Sequence, residues 1–243
     1  MDQYDKLAVF YDKVISGKDH TSPYVISRLK KFHKNAQSLL ELGCGTGDVL
    51  AGLQKLYRLT GIDSSKKMLN IASKKIPSAK FIKADIRSCI PDEKFDAVIC
   101  VYDTLNHITL FNDWKKIFRN VSEMLNEKGV FIFDVNSVYK LTMMEQISPL
   151  IHRFDDHYLI MDVKKISTSV FNWNLKVFEN KGGSKFQLTE CNIPEAAFEA
   201  GKIMNALSER FDVVRVEEET GRKITSVTER IYFICKRNLH KTL

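Results

Sequence analysis

The stretch LLELGCGTGD, Leu39 to Asp48, decides the fold. An apolar run breaks into Gly43, Gly45 and Gly47, and beyond Asp48 the apolar residues return at helical spacing. A strand that turns through glycines into a helix leaves backbone N–H groups pointing at whatever lies past the turn, so this is a nucleotide-type binding segment. The dinucleotide fingerprint needs a further glycine where a pyrophosphate meets the helix start. Asp48 stands there instead, and a carboxylate makes that place electrostatically poor for a diphosphate. Glu41, just before the turn, suits a cationic group better than phosphates.

Outward from the turn, strand and helix alternate. Strands are predicted at 38–42, 58–62, 80–83 and 95–101, and helices at 48–56 and 65–75. The segment FNDWKKIFRNVSEMLN puts Trp114, Ile117, Phe118, Val121 and Leu125 on one helix face, and GVFIFDV is another apolar strand. This alternation argues for a parallel sheet covered on both sides. Asp63 closes the second strand in LTGID, where an acid accepts from ribose hydroxyls. Asp85 closes the third in FIKADI, where an acid followed by apolar Ile86 meets an adenine edge and face. A glycine turn, a ribose acid, an adenine acid and no phosphate cradle together fit S-adenosylmethionine.

Two helices precede the first strand. Tyr4, Leu7, Ala8, Tyr11, Val14 and Ile15 recur at helical intervals; after a loop SGKDH, Ser22 and Pro23 read as the N-cap and first turn of a second helix ending near Lys34. Past Val135 the period changes. Phe171, Trp173, Leu175 and Val177 alternate with polar residues, NKGGS turns the chain, and Phe186 and Leu188 alternate again, giving an antiparallel hairpin beside which YLIMDV pairs. A helix is expected over 194–209, and FDVVRVEEE and RIYFICK close the chain as antiparallel neighbours, the last of them central.

The 243 residues, 44% hydrophobic and 28% charged, have the composition of a globular protein with a sizeable core. No apolar run approaches the ~20 residues of a membrane helix, and the acidic, helical N-terminus MDQYDKLAVFYDK is unlike a signal peptide. A cytoplasmic protein is therefore expected, as monomer or homodimer. Its five cysteines lack CxxC pairs or partner histidines at zinc spacing, so neither a disulfide framework nor a metal is expected. The net charge of +7 raises nucleic acid as a partner, but the lysine runs sit at helical spacing between apolar residues and read as solvated helix faces.

Taken together, LLELGCGTGD, LTGIDSSKKML, FIKADIRS, FDAVICVYDTLNHI and LNEKGVFIFDVN resemble, in order and spacing, the successive motifs of the class I S-adenosylmethionine-dependent methyltransferases. The resemblance covers roughly residues 36–136 and, in topology, the final strand pair. It implies a doubly wound, Rossmann-like, mostly parallel seven-stranded α/β sheet with an antiparallel last strand. Glu41, Gly43, Cys44, Gly45 and Gly47 would lie along the methionine and ribose, Asp63 would hold the ribose, Ser64 and Met68 would flank the adenosine, and Asp85 and Ile86 would hold the adenine. Val101 and Tyr102, opening the segment that runs to His107, would face the sulfonium. YDTLNH and YDKLAVFYD with the following GKD look like the small-molecule branch that includes amino-sugar N-methyltransferases. Members of that branch carry an N-terminal helical lid and an antiparallel insertion after the fifth strand. One domain is expected, with a lid over 1–35, a donor-binding core over 36–136, a β cap over 137–192 and the last helix and strand pair over 193–243.

Methyl transfer from a sulfonium needs alignment and exclusion of water, with a base only for a protonated acceptor. His107 is the first candidate for a base or orienting group, beside an equally open reading as a histidine hydrogen-bonded near a helix start. Tyr11 is a second candidate, for which packing is the favoured role, as it is for Tyr4; Tyr102 and Asp103 line the donor site or cap the next helix. Cys44 is expected to be a small residue under the donor, and Trp173 a core residue first. His152, Asp155, Asp156 and His157 invite a metal, but their spacing fits neither a helix face nor a strand face; Asp134 and Asn136 are separated by Val135, unlike an adjacent Asp-Asn metal pair. The expected function is methyl transfer to a small molecule, nitrogen slightly over oxygen. An RNA or protein methyltransferase and a non-catalytic donor-binding protein are the alternatives, with a nicotinamide dehydrogenase behind them.

Overall fold

The computed structural model describes residues 3–14 and 20–238. Helices α1 (Gln3–Val14) and α2 (Thr21–Phe32) precede β1 (Ser38–Leu42), α3 (Asp48–Leu53), β2 (Arg58–Asp63), α4 (Lys66–Lys75), β3 (Lys80–Lys83), β4 (Phe95–Cys100), α5 (Phe111–Met124) and β5 (Leu125–Asn136). Then come α6 (Val138–Ile147), β6 (Leu150–Phe154), β7 (His157–Lys165), β8 (Val170–Asn180), β9 (Phe186–Ala196), α7 (Ala200–Leu207), β10 (Phe211–Glu217) and β11 (Arg230–Arg237). The seven-stranded sheet runs β10-β11-β5-β4-β1-β2-β3, and β11 alone is antiparallel to its neighbours, lying between β5 and β10. This is the doubly wound sheet with an antiparallel last strand expected from the alternation. Strand order reverses beside β1, between β2 and β4, which puts a crevice at the C-terminal ends of these strands.

The near-continuous apolar strands are buried on both faces, as a helix-covered sheet requires. On one face Trp114, Phe118 and Val121 of α5 pack with Phe131 and Phe133 of β5 and with Ile203 and Leu207 of α7. On the other, Val25 and Leu29 of α2 join Val49, Leu53, Leu69 and Tyr232. Tyr24 stacks near Tyr232, its hydroxyl donating to Glu217 at 3.1 Å, while Arg28 bonds the same carboxylate at 2.5 Å. Thus α2 is tied to β10 by a part-buried ion pair as well as by packing.

A second, four-stranded antiparallel sheet runs β6-β7-β8-β9. Its inner residues, among them Leu159, Leu175, Val177, Cys191 and Ile193, pack against Leu7 and Phe10 of α1. The crevice is therefore covered by one helix and one sheet face.

Several boundaries differ from the sequence reading. Residues 194–196 continue β9, Pro194 pairing opposite Asn172 and Ala196 opposite Val170, and the helix starts only at Ala200. A proline is tolerated there because β9 is an edge strand. In α2, His20 rather than Ser22 holds the N-cap position, and Pro23 falls within the first turn, whose N–H groups have no intrahelical partner anyway. The helix ends at Phe32, short of Lys34. In α3 the tail 54–56 becomes a tight turn, with the Leu56 and Tyr57 N–H groups both donating to the Leu53 carbonyl. β6 and α6 carried no usable period. Ile15 and the SGKD part of the expected loop, including the GKD of the resemblance, lie outside the described residues.

Candidate active site

The glycine turn is held from behind. Gly43 and Cys44 donate N–H bonds to the Ile62 carbonyl at 2.8 and 3.0 Å, and Gly45 N–H donates to Asp63 Oδ2 at 2.9 Å. Asp63 Oδ1 accepts from Ser65 N–H at 2.8 Å, and Ser65 Oγ caps α4 through Met68 N–H. Gly45 has φ +51°, and a Cβ there would meet no atom within 4 Å. Its backbone borders open space, which is a cradle that any larger side chain would fill. A Cβ on Gly43 would strike Thr104.

That space is a cavity of about 440 Å³, and every residue assigned to the donor except Gly47 borders it. Gly47 faces away, at the N-cap of α3 with φ +80°, within reach of Ala72 and Ile76. Asp48, at the start of α3, is neutralised by Lys75, which also bonds Asp12 of α1 at 3.0 Å. Asp85 is clamped by Arg87, whose Nε donates to both carboxylate oxygens at 3.0 and 2.9 Å. The same pairing holds Asp85 below the usual carboxylate range. Burial pushes the Cys44 thiol well up, with Glu41 and Asp63 adding to it, so it stays protonated.

A second chamber of about 460 Å³ lies next to the first, under α1 and the inner face of the small sheet. Tyr4, Tyr11, Tyr102, His107 and Ile193 border both, so they form the partition. Tyr4 and His107 Nε2 are hydrogen-bonded at 2.8 Å, and the Tyr4 and Tyr11 rings meet edge to face at 6.1 Å. Burial raises both phenols well above their ordinary value, so neither ionises near neutral pH. His107 thus stands at the junction of the chambers, with a hydrogen-bond partner from α1. The helix itself is pinned by polar contacts: Ser65 Oγ donates to Asp5 at 2.6 Å and Thr46 Oγ1 to Asp12 at 2.5 Å.

Residues 39–129 match the family model described as a methyltransferase domain. A solved S-adenosylmethionine-dependent methyltransferase from Clostridium acetobutylicum is 26% identical, with 98% of this chain and 100% of that one aligned and a TM-score of 0.86. The chain carries a methyltransferase domain. A relative from Geobacillus sp. that carries the name of a methyltransferase is 25% identical over 96% of this chain and 99% of its own. The dTDP-4-amino-2,3,4,6-tetradeoxy-D-glucose N,N-dimethyltransferase of Saccharopolyspora spinosa is 29% identical over 52% of this chain and 53% of its own, about half its length.

Within this domain the turn after β4 is strained and held by charge. Tyr102 and Asp103 have φ +53° and +51°, unusual for residues with a side chain. Buried Asp134 accepts both of their N–H groups, at 2.8 and 2.7 Å. Arg230 of β11 then bonds Asp134 at 2.7 Å and Asp103 at 2.5 Å. Burial alone would lower the Arg230 pKa, but the two carboxylates hold it up and keep the guanidinium charged. Asp103, His107 and Glu195 converge with ligand atoms within 4.8 Å of one another. Within this group Asp103 is paired with Arg230.

Glu195 and Arg230 were not singled out from the sequence. Both sit in the last third of the chain, on strands whose pairing brings them back to the turn after β4. A signal did exist in Asn106 of YDTLNH. Its buried amide donates to the carbonyls of Asn136 and Ala196 at 3.0 and 2.8 Å and accepts from Asn136 N–H at 2.9 Å, stitching the turn to β5 and β9. Asp103 borders the second chamber rather than the donor cavity, and Trp173 borders it too while packing on Phe171 and Val163. On the β6–β7 hairpin, His157 Nδ1 accepts from Asn180 N–H at 3.0 Å, Asp155 pairs with Lys13 at 2.7 Å, and His152 stacks on Phe154.

Proposed function

We propose that the protein transfers a methyl group to a small molecule seated in the second chamber, nitrogen acceptors favoured over oxygen, by in-line displacement. The observation that carries this reading is the pair of adjoining chambers meeting at the Tyr4–His107 hydrogen bond, the second roofed by α1 and β6–β9. S-adenosylmethionine supplies the methyl group as an already activated sulfonium. Asp63 accepts the ribose hydroxyls, Glu41 faces the cationic amino acid portion, Asp85 and Ile86 meet the adenine, and Val101 and Tyr102 border the transferring group. The open face of Gly45 is what lets a ligand lie against the turn.

On this reading α1 acts as a lid, within a division into lid (1–35), donor core (36–136), cap (137–192) and closing elements (193–243). Lid and cap exclude water and align the two reactants, which is most of the catalysis such a reaction needs. His107 and Tyr11 orient the acceptor at the partition, Tyr11 as a neutral hydrogen-bond donor. Nitrogen is favoured because carboxylates cluster where the acceptor would sit. The Saccharopolyspora spinosa relative, named for an amino-sugar substrate, points the same way. A roofed chamber suits a polymer poorly, which weighs against RNA or protein acceptors.

The test is transfer of tritiated methyl from S-adenosylmethionine to a panel of small amines, matched alcohols, transfer RNA and a basic protein. Label in one or more small amines is expected, and label confined to RNA or protein would overturn the assignment. Donor binding without transfer to any of them would favour a non-catalytic role.

A further inference from the structure

Two carboxyl groups face the second chamber, and they are built differently. Asp103 has a fixed counterion, Arg230 at 2.5 Å, which together with His107 holds it below the usual carboxylate range against the opposing effect of burial. Glu195, only 5% exposed, accepts one hydrogen bond, from Asn136 Nδ2 at 3.1 Å, and has no cation in contact among the described residues. The charged and titratable groups facing it are Tyr4 of α1, Asp103 and His107 of the turn after β4, Lys140 of α6 and Arg230 of β11. Arg230 is committed to Asp103 and Asp134, and Lys140 bonds Glu229 at 3.2 Å. With Glu195 ionised, the chamber is one positive charge short.

Resting on the methyltransferase reading above, we propose that this chamber takes its acceptor as an ammonium ion between Asp103 and Glu195, and that Glu195 removes the proton the nitrogen must lose before it attacks. The ammonium supplies the missing charge. The proton that resting Glu195 carries passes to water as the ammonium enters; an ammonium N–H bond then breaks as the Glu195 O–H bond re-forms, leaving a neutral amine. The nitrogen lone pair then makes the new C–N bond while the C–S bond breaks and its electron pair returns to sulfur. The products are a methylated ammonium and a neutral thioether, and Glu195 is left as the protonated acid in which it began.

Burial first, and the Asp103 charge second, push the Glu195 carboxyl up to about 8, against the usual 4.5. A carboxyl so placed exchanges protons near neutral pH, as a proton acceptor for an amine should. Two carboxyls whose surroundings separate them in this way divide into a fixed anion and a proton carrier. Leu7, Phe10, Leu159, Leu175 and Val177 give the chamber an apolar stretch of wall, with Tyr11, Tyr102 and His152 also on its border; Trp173 Nε1 and Asn136 Oδ1 are buried without a partner among the described residues. They offer one donor and one acceptor to the body of the ligand. The class is thus a compact primary or secondary amine with a further hydroxyl or carbonyl.

Aminocyclohexanol and cyclohexanediol are matched probes of this chamber. With the wild-type protein saturated with S-adenosylhomocysteine, the amine should bind at least about tenfold more tightly than the diol, a difference of about 1.4 kcal/mol. Glu195→Gln should abolish that preference while leaving S-adenosylhomocysteine affinity within about twofold, since the amide keeps the volume and neutrality of the resting acid. With any amine that is methylated, Glu195→Gln should lower kcat by roughly a hundredfold or more, with a residual rate that climbs with pH as free amine appears in solution; Glu195→Asp should restore part of it. Equal binding of amine and diol by the wild type, or a wild-type rate and pH profile in Glu195→Gln, would overturn the proposal. Failure to bind S-adenosylhomocysteine would instead strike at the reading on which it rests.

Discussion

Beside the ribose contact proposed for it, Asp63 has a structural part, because its two oxygens hold Gly45 N–H and Ser65 N–H and so fix the glycine turn against α4. Asp63→Asn should weaken S-adenosylhomocysteine binding by at least about tenfold, as charge-assisted bonds are lost on both sides; calorimetry on the variant checks this, and a lowered melting temperature should accompany it because the amide nitrogen cannot accept the backbone N–H it then faces. Glu195 makes a prediction of opposite kind. Its folded-state pKa of about 8 lies above the ordinary 4.5, so the native state binds the proton more tightly than the unfolded chain does. The stabilisation is full below about 4.5 and is lost as pH rises toward 8. Melting temperatures of Glu195→Gln and wild type should therefore be closest near pH 5 and diverge in favour of the variant by pH 8. The places of Asp63 and Asp85 on the cavity border could be expected from the sequence because a strand end after an apolar run is a fixed place in this fold. That of Glu195 could not, since its surroundings are assembled from α1, β5, α6 and β11.

At the scale of elements, the turn after β4 depends on a strand more than ninety residues away: Arg230 of β11 neutralises the fully buried Asp134 that holds Tyr102 and Asp103 in left-handed backbone. Arg230→Met leaves that charge without its counterion and should cost about 3 kcal/mol or more of stability, measured by urea unfolding. The helix α1 is a contrasting case. Its Asp12 contacts to Thr46 and Lys75 are part-exposed, each worth no more than about 1 kcal/mol. Asp12→Ala should leave the melting temperature almost unchanged while speeding S-adenosylhomocysteine release several-fold in stopped flow, if the helix gates the cavity as proposed. Strands and helices of the donor half were legible because their apolar periods are clean. α6 and β6 were not, because LTMMEQ and LIHRF alternate on neither period, and the 194–196 error arose because pairing with β8 keeps an edge segment extended.

Across the whole molecule, the net charge of +7 suggested an anionic partner, yet the second chamber concentrates carboxylates. The lysines lie largely on outer faces, so the summed charge describes the surface and the chamber describes the ligand. The sheet order puts β1, β2, β3 and β4 ends around one crevice, the small sheet and α1 cover it, and the covering elements supply the second chamber. What could be read in advance was the half that binds the donor, where motif and geometry coincide along one stretch of chain. The acceptor half is built from distant segments and has no local signature.

The central claim is that the GCGTGD turn and Asp63 hold S-adenosylmethionine. Its most direct test is calorimetry of the purified protein with S-adenosylmethionine, S-adenosylhomocysteine and NAD in parallel. Micromolar binding of both adenosyl ligands, none of NAD, and marked weakening of the former by Gly45→Val is the predicted result. Binding of NAD alone, or adenosyl affinity untouched by Gly45→Val, would contradict it.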